Sequence, residues 1–153
     1  MEETFVLIKP DGIQRKNIGQ IIQRLESKGL QLKAMKMLWL TPPQVEELYP
    51  HLKDKEFFPR LTNFMIAAPV IVMVWVGEEA ISATRKLLGA TNPQEADIGT
   101  IRGDWAMAVG ANLVHGSDSP ATARREIEQF FSKEEIMEYE QAGGNWLKEE
   151  PWQ

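Results

Sequence analysis

Residues 70–76 read Val-Ile-Val-Met-Val-Trp-Val, the strongest strand pattern in the chain. Branched and aromatic side chains favour strands, and a run that is apolar on both faces predicts a strand in the middle of a sheet. Gly77 ends the run. A second dense run, residues 4–9, closes at Pro10-Asp11-Gly12, which is turn chemistry. These two runs predict the centre of one sheet.

Weaker segments surround the two central strands. Between Asn17 and Gly29 the apolar side chains recur at helical intervals, and Gly29 is a typical helix stop. Residues 30–40 then alternate as a strand, in which we expect Met35 to face inward and Lys33 outward.

Two short helical patterns follow, at residues 41–50 and 57–65, and predict a helical hairpin that could stand off the sheet as a lid. A helix before Gly89 and an unperiodic loop at 90–110 lead to a last strand at residues 113–115. Ser119-Pro120 then begins a final helix. The order β-α-β-β-α-β predicts an α+β fold of the ferredoxin-like class, a four-stranded antiparallel sheet covered by helices. Without repeats or a linker, residues 1–153 are expected to form one domain.

Composition excludes several kinds of chemistry. The 153 residues contain no cysteine, which rules out disulfides, thiolate catalysis and Cys-based zinc sites. A formal net charge of −5 disfavours nucleic acid as a partner. The longest apolar run, residues 64–76, is interrupted by Pro69 and is too short to span a bilayer, and the acidic N-terminus has no secretory signal pattern. We therefore expect a soluble, cytoplasmic protein.

His115 is the first candidate for catalysis, since it ends a predicted buried strand and precedes Gly116 and Ser117. It could equally be a hydrogen-bonded core histidine. Glu126 lies on the core-facing stripe of the following helix, where an ionised carboxylate is costly unless it is paired. We expect it to bond His115, with Ser117 between them, which would leave the other ring nitrogen as a nucleophile. A side chain at Gly116 would obstruct a substrate approaching that nitrogen.

Phosphate binding would need side chains here, because the chain lacks both the P-loop and the Gly-x-Gly-x-x-Gly pattern. The candidates share a cationic or polar head and lie in or beside the long loop or at the end of the first strand: Lys9, Arg85, Thr91, Arg102 and Asn112. The arginines could instead pair with surface carboxylates. Phe57 is either a core residue or a ring on which a nucleobase stacks. His51, in a polar loop, is assigned no role, and two distant histidines have no metal-ligand spacing.

The chain closely resembles the nucleoside diphosphate kinase family over nearly its whole length. The resemblance rests on ordered motifs: Lys9-Pro10-Asp11-Gly12, Tyr49, Phe57-Phe58-x-x-Leu61, 88–93 (Leu-Gly-Ala-Thr-Asn-Pro), 99–104 (Gly-Thr-Ile-Arg-Gly-Asp), Val109-Gly110-Ala111-Asn112, 115–119 (His-Gly-Ser-Asp-Ser), Glu126 and Asn145-Trp146. The chain departs from the family's usual pattern at Ala67-Ala68, before Pro69, and at Ala111, where arginine is frequent.

The resemblance implies a ping-pong transfer of the γ-phosphate from a nucleoside triphosphate to a nucleoside diphosphate, through a phosphohistidine at His115. It implies that one set of side chains surrounds the phosphates and sugar: Lys9, Tyr49, Arg85, Thr91, Arg102 and Asn112. Phe57 and Val109 would sandwich the base with little selectivity. Mg²⁺ would be held mainly by the nucleotide, without protein metal ligands. The family implies a homo-oligomer, a hexamer or tetramer built from a common dimer.

Two other classes remain open at this point. A nucleotide-binding regulator would bind without turnover. A single-stranded nucleic-acid module would share the β-α-β-β-α-β order, but the strands lack paired aromatic residues flanked by basic ones. Phosphotransfer would separate the first class from a kinase, and a salt-dependent oligonucleotide titration would test the second.

Overall fold

A computed structural model describes residues 1–152 of the protein; Gln153 lies outside the described residues. Four antiparallel strands lie in the order β2-β3-β1-β4, with bounds β1 Glu2–Ile8, β2 Gln31–Leu38, β3 Val70–Gly77 and β4 Val114–Gly116. Both dense apolar runs are central strands, and every residue of β3 is buried. The predicted ferredoxin-like topology is confirmed.

The helices are α1 Pro10–Gln14, α2 Ile18–Lys28, α3 Pro42–Leu48, α4 Phe58–Met65, α5 Ala80–Leu88, α6 Ile101–Trp105 and α7 Pro120–Phe130. Short 3-10 turns occupy Pro50–Leu52, Lys133–Glu135, Gly144–Leu147 and Glu150–Trp152. Helix ends follow the sequence signals: Gly29 caps α2 with a φ of 104°, and the Ser119 hydroxyl accepts the Thr122 amide at 3.1 Å. Within residues 1–152, no helix has both the length and the apolar character needed to cross a membrane.

Each face of the sheet is covered by different helices. Phe5 and Leu7 of β1 point to one face, where they join a core that includes Ile127 and Phe130 of α7 and the α3–α4 pair. Val6 and Ile8 point to the other face, toward residues of α2 and α5. Directly paired residues share a face, and His115 pairs with Leu7. The register therefore places His115 on the α7 side of the sheet.

The predicted alternation of β2 was wrong in its second half. A register shift between Leu32 and Ala34 inserts one extra residue, and a one-residue slip exchanges the two faces of a strand. Met35 is consequently 50% exposed, whereas Lys33 is buried and its ammonium lies 2.8 Å from Glu138. Met37, two residues further, is exposed on the same side as Met35.

Two further local predictions need correction. The stretch at 90–110 contains a helix, α6, which Thr100 caps by accepting the Gly103 amide at 3.0 Å, and the Pro10-Asp11-Gly12 turn begins the short helix α1. These elements are too short to produce a recognisable period.

Candidate active site

A histidine, a carboxylate and a hydroxyl meet at the end of β4. The Nε2 atom of His115 lies 2.5 Å from Oε2 of Glu126, and the Ser117 hydroxyl donates to Oε1 of the same carboxylate at 2.5 Å. Ser117 thus lies beside the pair, on the second oxygen, and not between the two side chains as expected. Glu126 is fully buried. When Nε2 carries the proton that Glu126 accepts, Nδ1 of the neutral ring keeps a free lone pair.

Two aromatic rings hold the imidazole in place. The Phe5 ring packs edge-on at 6.1 Å between centroids, and the Tyr49 ring packs at 5.2 Å with an interplanar angle of 89°. The Tyr49 hydroxyl is buried and has no partner among the described residues. Burial, helped by the negative charge of Glu126, raises the pKa of Tyr49 above its usual value. The hydroxyl therefore stays protonated and remains available as a hydrogen-bond donor.

Lys9, directly after β1, is a buried cation. Its ammonium donates to Oδ1 of Asn112 at 2.8 Å, and the Asn112 amide donates to the carbonyl of Thr91 at 3.0 Å. Burial and the nearby Arg102 lower the pKa of Lys9 to about 8, while Asp11 opposes that shift. Lys9 is thus mostly charged at neutral pH. A bound anion would favour its charged form and raise its pKa.

Arg102 ties the long loop to the sheet. Its guanidinium donates to the carbonyls of Gly89 at 2.8 Å, Asn112 at 3.2 Å and Val114 at 2.7 Å. A guanidinium has five N–H groups, so two remain available for a ligand. Burial lowers the pKa of Arg102 to about 10, which leaves it protonated at neutral pH.

These side chains line a cavity of about 770 Å³. Five basic side chains line it, against only two carboxylates; the basic ones are Lys9, Arg60, Arg85, Arg102 and Arg125, and the carboxylates are Asp118 and Glu126. The chain as a whole carries a net charge of −5. A cavity whose charge opposes that of the whole protein concentrates anions, so the site is built for a negatively charged ligand.

The predicted base-stacking residues lie at the cavity as well. Phe57 is 42% exposed and Val109 is 53% exposed, and both line it. An exposed aromatic ring at the mouth of a cavity is not explained by core packing, which was the alternative for Phe57. Thr91 and Arg85, also exposed, complete the set that the resemblance implied.

Gly116 was predicted to leave room for a substrate, and that reason was wrong. Gly116 does line the cavity, but a Cβ there would meet the side chain of Leu88 at 2.7 Å and that of Thr84 at 3.7 Å. Both belong to α5. The missing side chain therefore lets α5 pack closely on β4, and it does not clear the path of a substrate.

Several cavity residues were not found from sequence. His51, which had been assigned no role, lines the cavity together with Arg60 and Arg125. Asp118 does so too, and a hydrogen bond from Thr122 lowers its pKa. Only the adjacency of Asp118 to the His-Gly-Ser motif could have indicated it, because the others come from helices whose packing no local pattern specifies.

The cavity does not resemble a protein metal site. No group of three or more His, Asp or Glu side chains suited to a metal ion occurs among residues 1–152. Both oxygens of Glu126 are occupied by His115 and Ser117, and Asp118 is the only other carboxylate at the cavity.

Comparison with known proteins is consistent with this geometry. The family model described as "Nucleoside diphosphate kinase" matches residues 2–136. A nucleoside diphosphate kinase of Archaeoglobus fulgidus is 51% identical over 150 residues, covering 98% of this chain and 99% of that protein. A solved structure of the Halobacterium salinarum nucleoside diphosphate kinase in complex with CDP superposes with a TM-score of 0.94 at 42% identity, covering 97% of this chain and 99% of that one. The apo enzyme of Encephalitozoon cuniculi gives a TM-score of 0.93 at 42% identity and covers 97% of this chain and 100% of that one.

Proposed function

Because the chain belongs to the nucleoside diphosphate kinase family, whose members transfer phosphate between nucleotides, we propose that His115 carries the phosphoryl group between a donor triphosphate and an acceptor diphosphate. The chain is a phosphotransferase. The ping-pong course through a phosphohistidine and the residues assigned to it are our proposal. The observation that carries it is the contact between Nε2 of His115 and the buried Glu126.

Two displacements at phosphorus make up the proposed cycle. In the first, Nδ1 of His115 attacks the γ-phosphorus of a nucleoside triphosphate. The bond from that phosphorus to the β–γ bridging oxygen breaks, and the oxygen leaves with the diphosphate. In the second, a terminal oxygen of another diphosphate attacks the phosphohistidine, the P–N bond breaks and the ring recovers its lone pair. The protein does little covalent chemistry beyond this, so positioning and charge account for most of the rate.

Glu126 and Ser117 would prepare the nucleophile. The carboxylate accepts the Nε2 proton and thereby fixes both the tautomer and the ring orientation. It also stabilises the positive charge that develops on the ring as the P–N bond forms. The hydroxyl of Ser117 holds the other carboxylate oxygen, so that Glu126 cannot rotate away from His115.

The cationic side of the cavity would hold the phosphates. Lys9, Arg85 and Arg102 line the same cavity as His115, and the two unused N–H groups of Arg102 match phosphate oxygens. Tyr49 offers an unpartnered hydroxyl next to the ring. Thr91 and Asn112 would contact the phosphates or the sugar hydroxyls, since they lie beside Lys9.

The base would stack between Phe57 and Val109 at the cavity mouth. Stacking on an aromatic face contributes about 1–3 kcal/mol and does not depend on the hydrogen-bonding edge of a base. That mode of binding supports low base selectivity. The relative from Halobacterium salinarum was solved with CDP, and we propose that this chain also takes nucleoside diphosphates here.

Magnesium would enter as part of the substrate. The donor set of the cavity fits a metal held by phosphate oxygens, because its carboxylates are few and Glu126 is already engaged. The bound ion would offset phosphate charge during transfer. The side chains of this chain would then bind the nucleotide complex, and Asp118 is the one carboxylate besides Glu126 that lines the cavity.

We also propose a homo-oligomer built through the edge of β2. This strand lies at the edge of the sheet and exposes Met35 and Met37 by 50% and 57%. The first half of this edge is covered, since the Met137 amide donates to the Lys33 carbonyl at 2.9 Å. The second half carries the exposed methionines, and a sheet edge with large apolar side chains is a site for pairing with another chain. We place the protein in the cytoplasm, where its nucleotide substrates are; cell fractionation with antibody detection would test this.

A labelling experiment tests the function. The protein is incubated with γ-labelled ATP and magnesium, and we expect an acid-labile, base-stable label that a nucleoside diphosphate removes. The label should disappear in His115→Ala and persist in His51→Ala, which changes the only other histidine. Label retained in the His115 variant would overturn the assignment. Nucleotide binding without any label on the unaltered protein would favour a regulator.

A further inference from the structure

Leu113 has a strained backbone beside the active site. Its φ is +73°, in the left-handed region that branched or bulky residues rarely adopt, and its side chain is fully buried. It lies between Asn112, which holds Lys9, and the strand that carries His115. Such a conformation persists only where its surroundings enforce it. The question is which contacts enforce it.

The Val114 amide donates to the Asn112 carbonyl at 2.9 Å and closes a tight turn around Leu113. Two further contacts, from residues near the N-terminus, hold the peptide groups of Leu113 itself. The amide of Lys9 donates to the carbonyl of Leu113 at 2.9 Å. The amide of Leu113 donates to Oδ2 of Asp11 at 3.1 Å, across 102 positions of sequence. Gly12 permits this approach, since a Cβ there would lie 3.0 Å from the Leu113 carbonyl and 2.6 Å from Ile8.

The simplest alternative is that Asp11 serves its own helix as an acidic residue in the first turn of α1. The contacts argue against that reading. Oδ2 accepts from Leu113 and not from an amide of α1, and Oδ1 is buried without a partner among the described residues. A buried carboxylate oxygen without a partner is costly, so the position of this side chain needs a reason outside α1.

We propose that Asp11 is a positioning residue for phosphoryl transfer: it holds Leu113 in the left-handed conformation, and through it aims Asn112 and His115 into the nucleotide cavity. This inference rests on the proposed function, because its main readout is the transfer step. Asp11 does not line the cavity, so it acts through Leu113 and not on the substrate.

The first test compares Asp11→Ala with Asp11→Asn. Asparagine keeps an oxygen in the place of Oδ2 and can still accept the Leu113 amide, whereas alanine cannot. We expect the single-turnover rate of His115 phosphorylation to fall about 10- to 100-fold in Asp11→Ala, since small misplacements of reacting groups have effects of that size. Asp11→Asn should stay within about threefold of the unaltered protein at pH 7. Gln14→Ala, an exposed position of the same helix, is the control.

The second readout is the pH profile of ADP binding, which separates the charge of Asp11 from its hydrogen bond with Leu113. The charged groups that act on Lys9 are Arg102 of α6, which lowers its pKa, and Asp11 of α1, which raises it; Asn112 contributes a neutral amide. Removing the charge of Asp11 should therefore lower the pKa of Lys9. The alkaline loss of ADP affinity should begin at lower pH in both Asp11 variants and stay unchanged in the exposed Asp54→Asn.

Hydrogen exchange measures the contact between Asp11 and the Leu113 amide directly. The Leu113 amide should exchange faster in Asp11→Ala than in Asp11→Asn, because only the alanine variant leaves it without an acceptor. If Asp11→Ala phosphorylates His115 as fast as the unaltered protein, or if both variants lose the same activity at pH 7, the positioning role is wrong. If the unaltered protein itself forms no phosphohistidine, the proposed function fails instead. The exchange result still shows whether Asp11 holds the Leu113 amide.

Discussion

At the scale of single residues, the site contains buried charged side chains, among them Glu126 and Lys9. Glu126 is fully buried, and both of its oxygens are bonded, to His115 and Ser117. A buried charge that is fully hydrogen-bonded is tolerable, and one that loses a partner is costly. The two hydrogen bonds therefore hold the carboxylate against Nε2 of His115, where it favours the tautomer protonated at that nitrogen.

Glu126→Gln tests that control. The amide has nearly the same shape but carries no charge, and it supports a developing imidazolium poorly. We expect phosphohistidine formation to slow by about 10- to 100-fold, with ADP affinity changed by less than about threefold. Rapid-quench labelling and calorimetric titration would measure the two quantities. Transfer at the unaltered rate would mean that the carboxylate is structural.

The proposed phosphate contact of Lys9 predicts that nucleotide binding depends on pH. Its pKa in the free protein is about 8, so it is charged below that pH and loses its charge as the pH rises through it. A bound phosphate favours the charged form, and ADP affinity should therefore be highest below pH 8 and weaken between pH 8 and 10. Lys9→Met should bind ADP weakly and lose this transition. Titrations at a series of pH values would measure it, and an identical alkaline transition in Lys9→Met would assign it to another group.

At the scale of elements, two glycines of α2 differ in their roles, because Gly29 caps its C-terminal end and Gly19 lies in its first turn. Gly29 caps α2 with a φ of 104°, and a Cβ there would meet the Leu147 side chain at 2.8 Å. Gly19 lies within the same helix with nothing near its Cβ position. The same chemical change should thus have opposite effects at the two positions.

Gly29→Ala should destabilise the fold by about 1–2 kcal/mol, because alanine disfavours the left-handed region. That corresponds to a drop in Tm of roughly 2–8 °C for a chain of this size. Gly19→Ala should leave the Tm unchanged or raise it, since alanine has the better helix propensity. Thermal unfolding followed by circular dichroism would measure both. A Gly29→Ala protein as stable as the unaltered one would contradict the capping role.

At the scale of the whole molecule, the sheet edge formed by β2 is unusual because it exposes two large apolar side chains. The bulge in β2 turns Met35 and Met37 outward on a strand at the edge of the sheet. A second copy of the chain could bury these side chains and pair the edge. Assembly would therefore depend on a register shift that places apolar side chains outside the monomer's own core.

Met37→Lys should weaken the proposed assembly, because a charge would have to be buried between the copies. Analytical ultracentrifugation should show a smaller species than the unaltered protein at equal concentration. Met107→Lys, at an exposed methionine away from β2, is the control. A monomer before any substitution, or an unchanged mass in Met37→Lys, would rule out this edge as the interface.

Local sequence determined the elements that have strong local signals. Dense apolar runs produced the two central strands, and Gly29 and Ser119 marked helix ends, because these preferences act within a few residues. The candidate site could also be named in large part from sequence: Glu126 on the core-facing stripe of its helix implied a partner, and the ordered motifs implied the cavity residues.

Tertiary structure alone decided how these parts meet. The register of β1 with β4 put His115 on the α7 side, the bulge in β2 exchanged Lys33 and Met35, and Asp11 reached Leu113 across 102 positions. The lowered pKa of Lys9 has the same origin, since it comes from burial and from Arg102. Contacts between distant segments depend on packing over the whole chain, and no short-range preference encodes them.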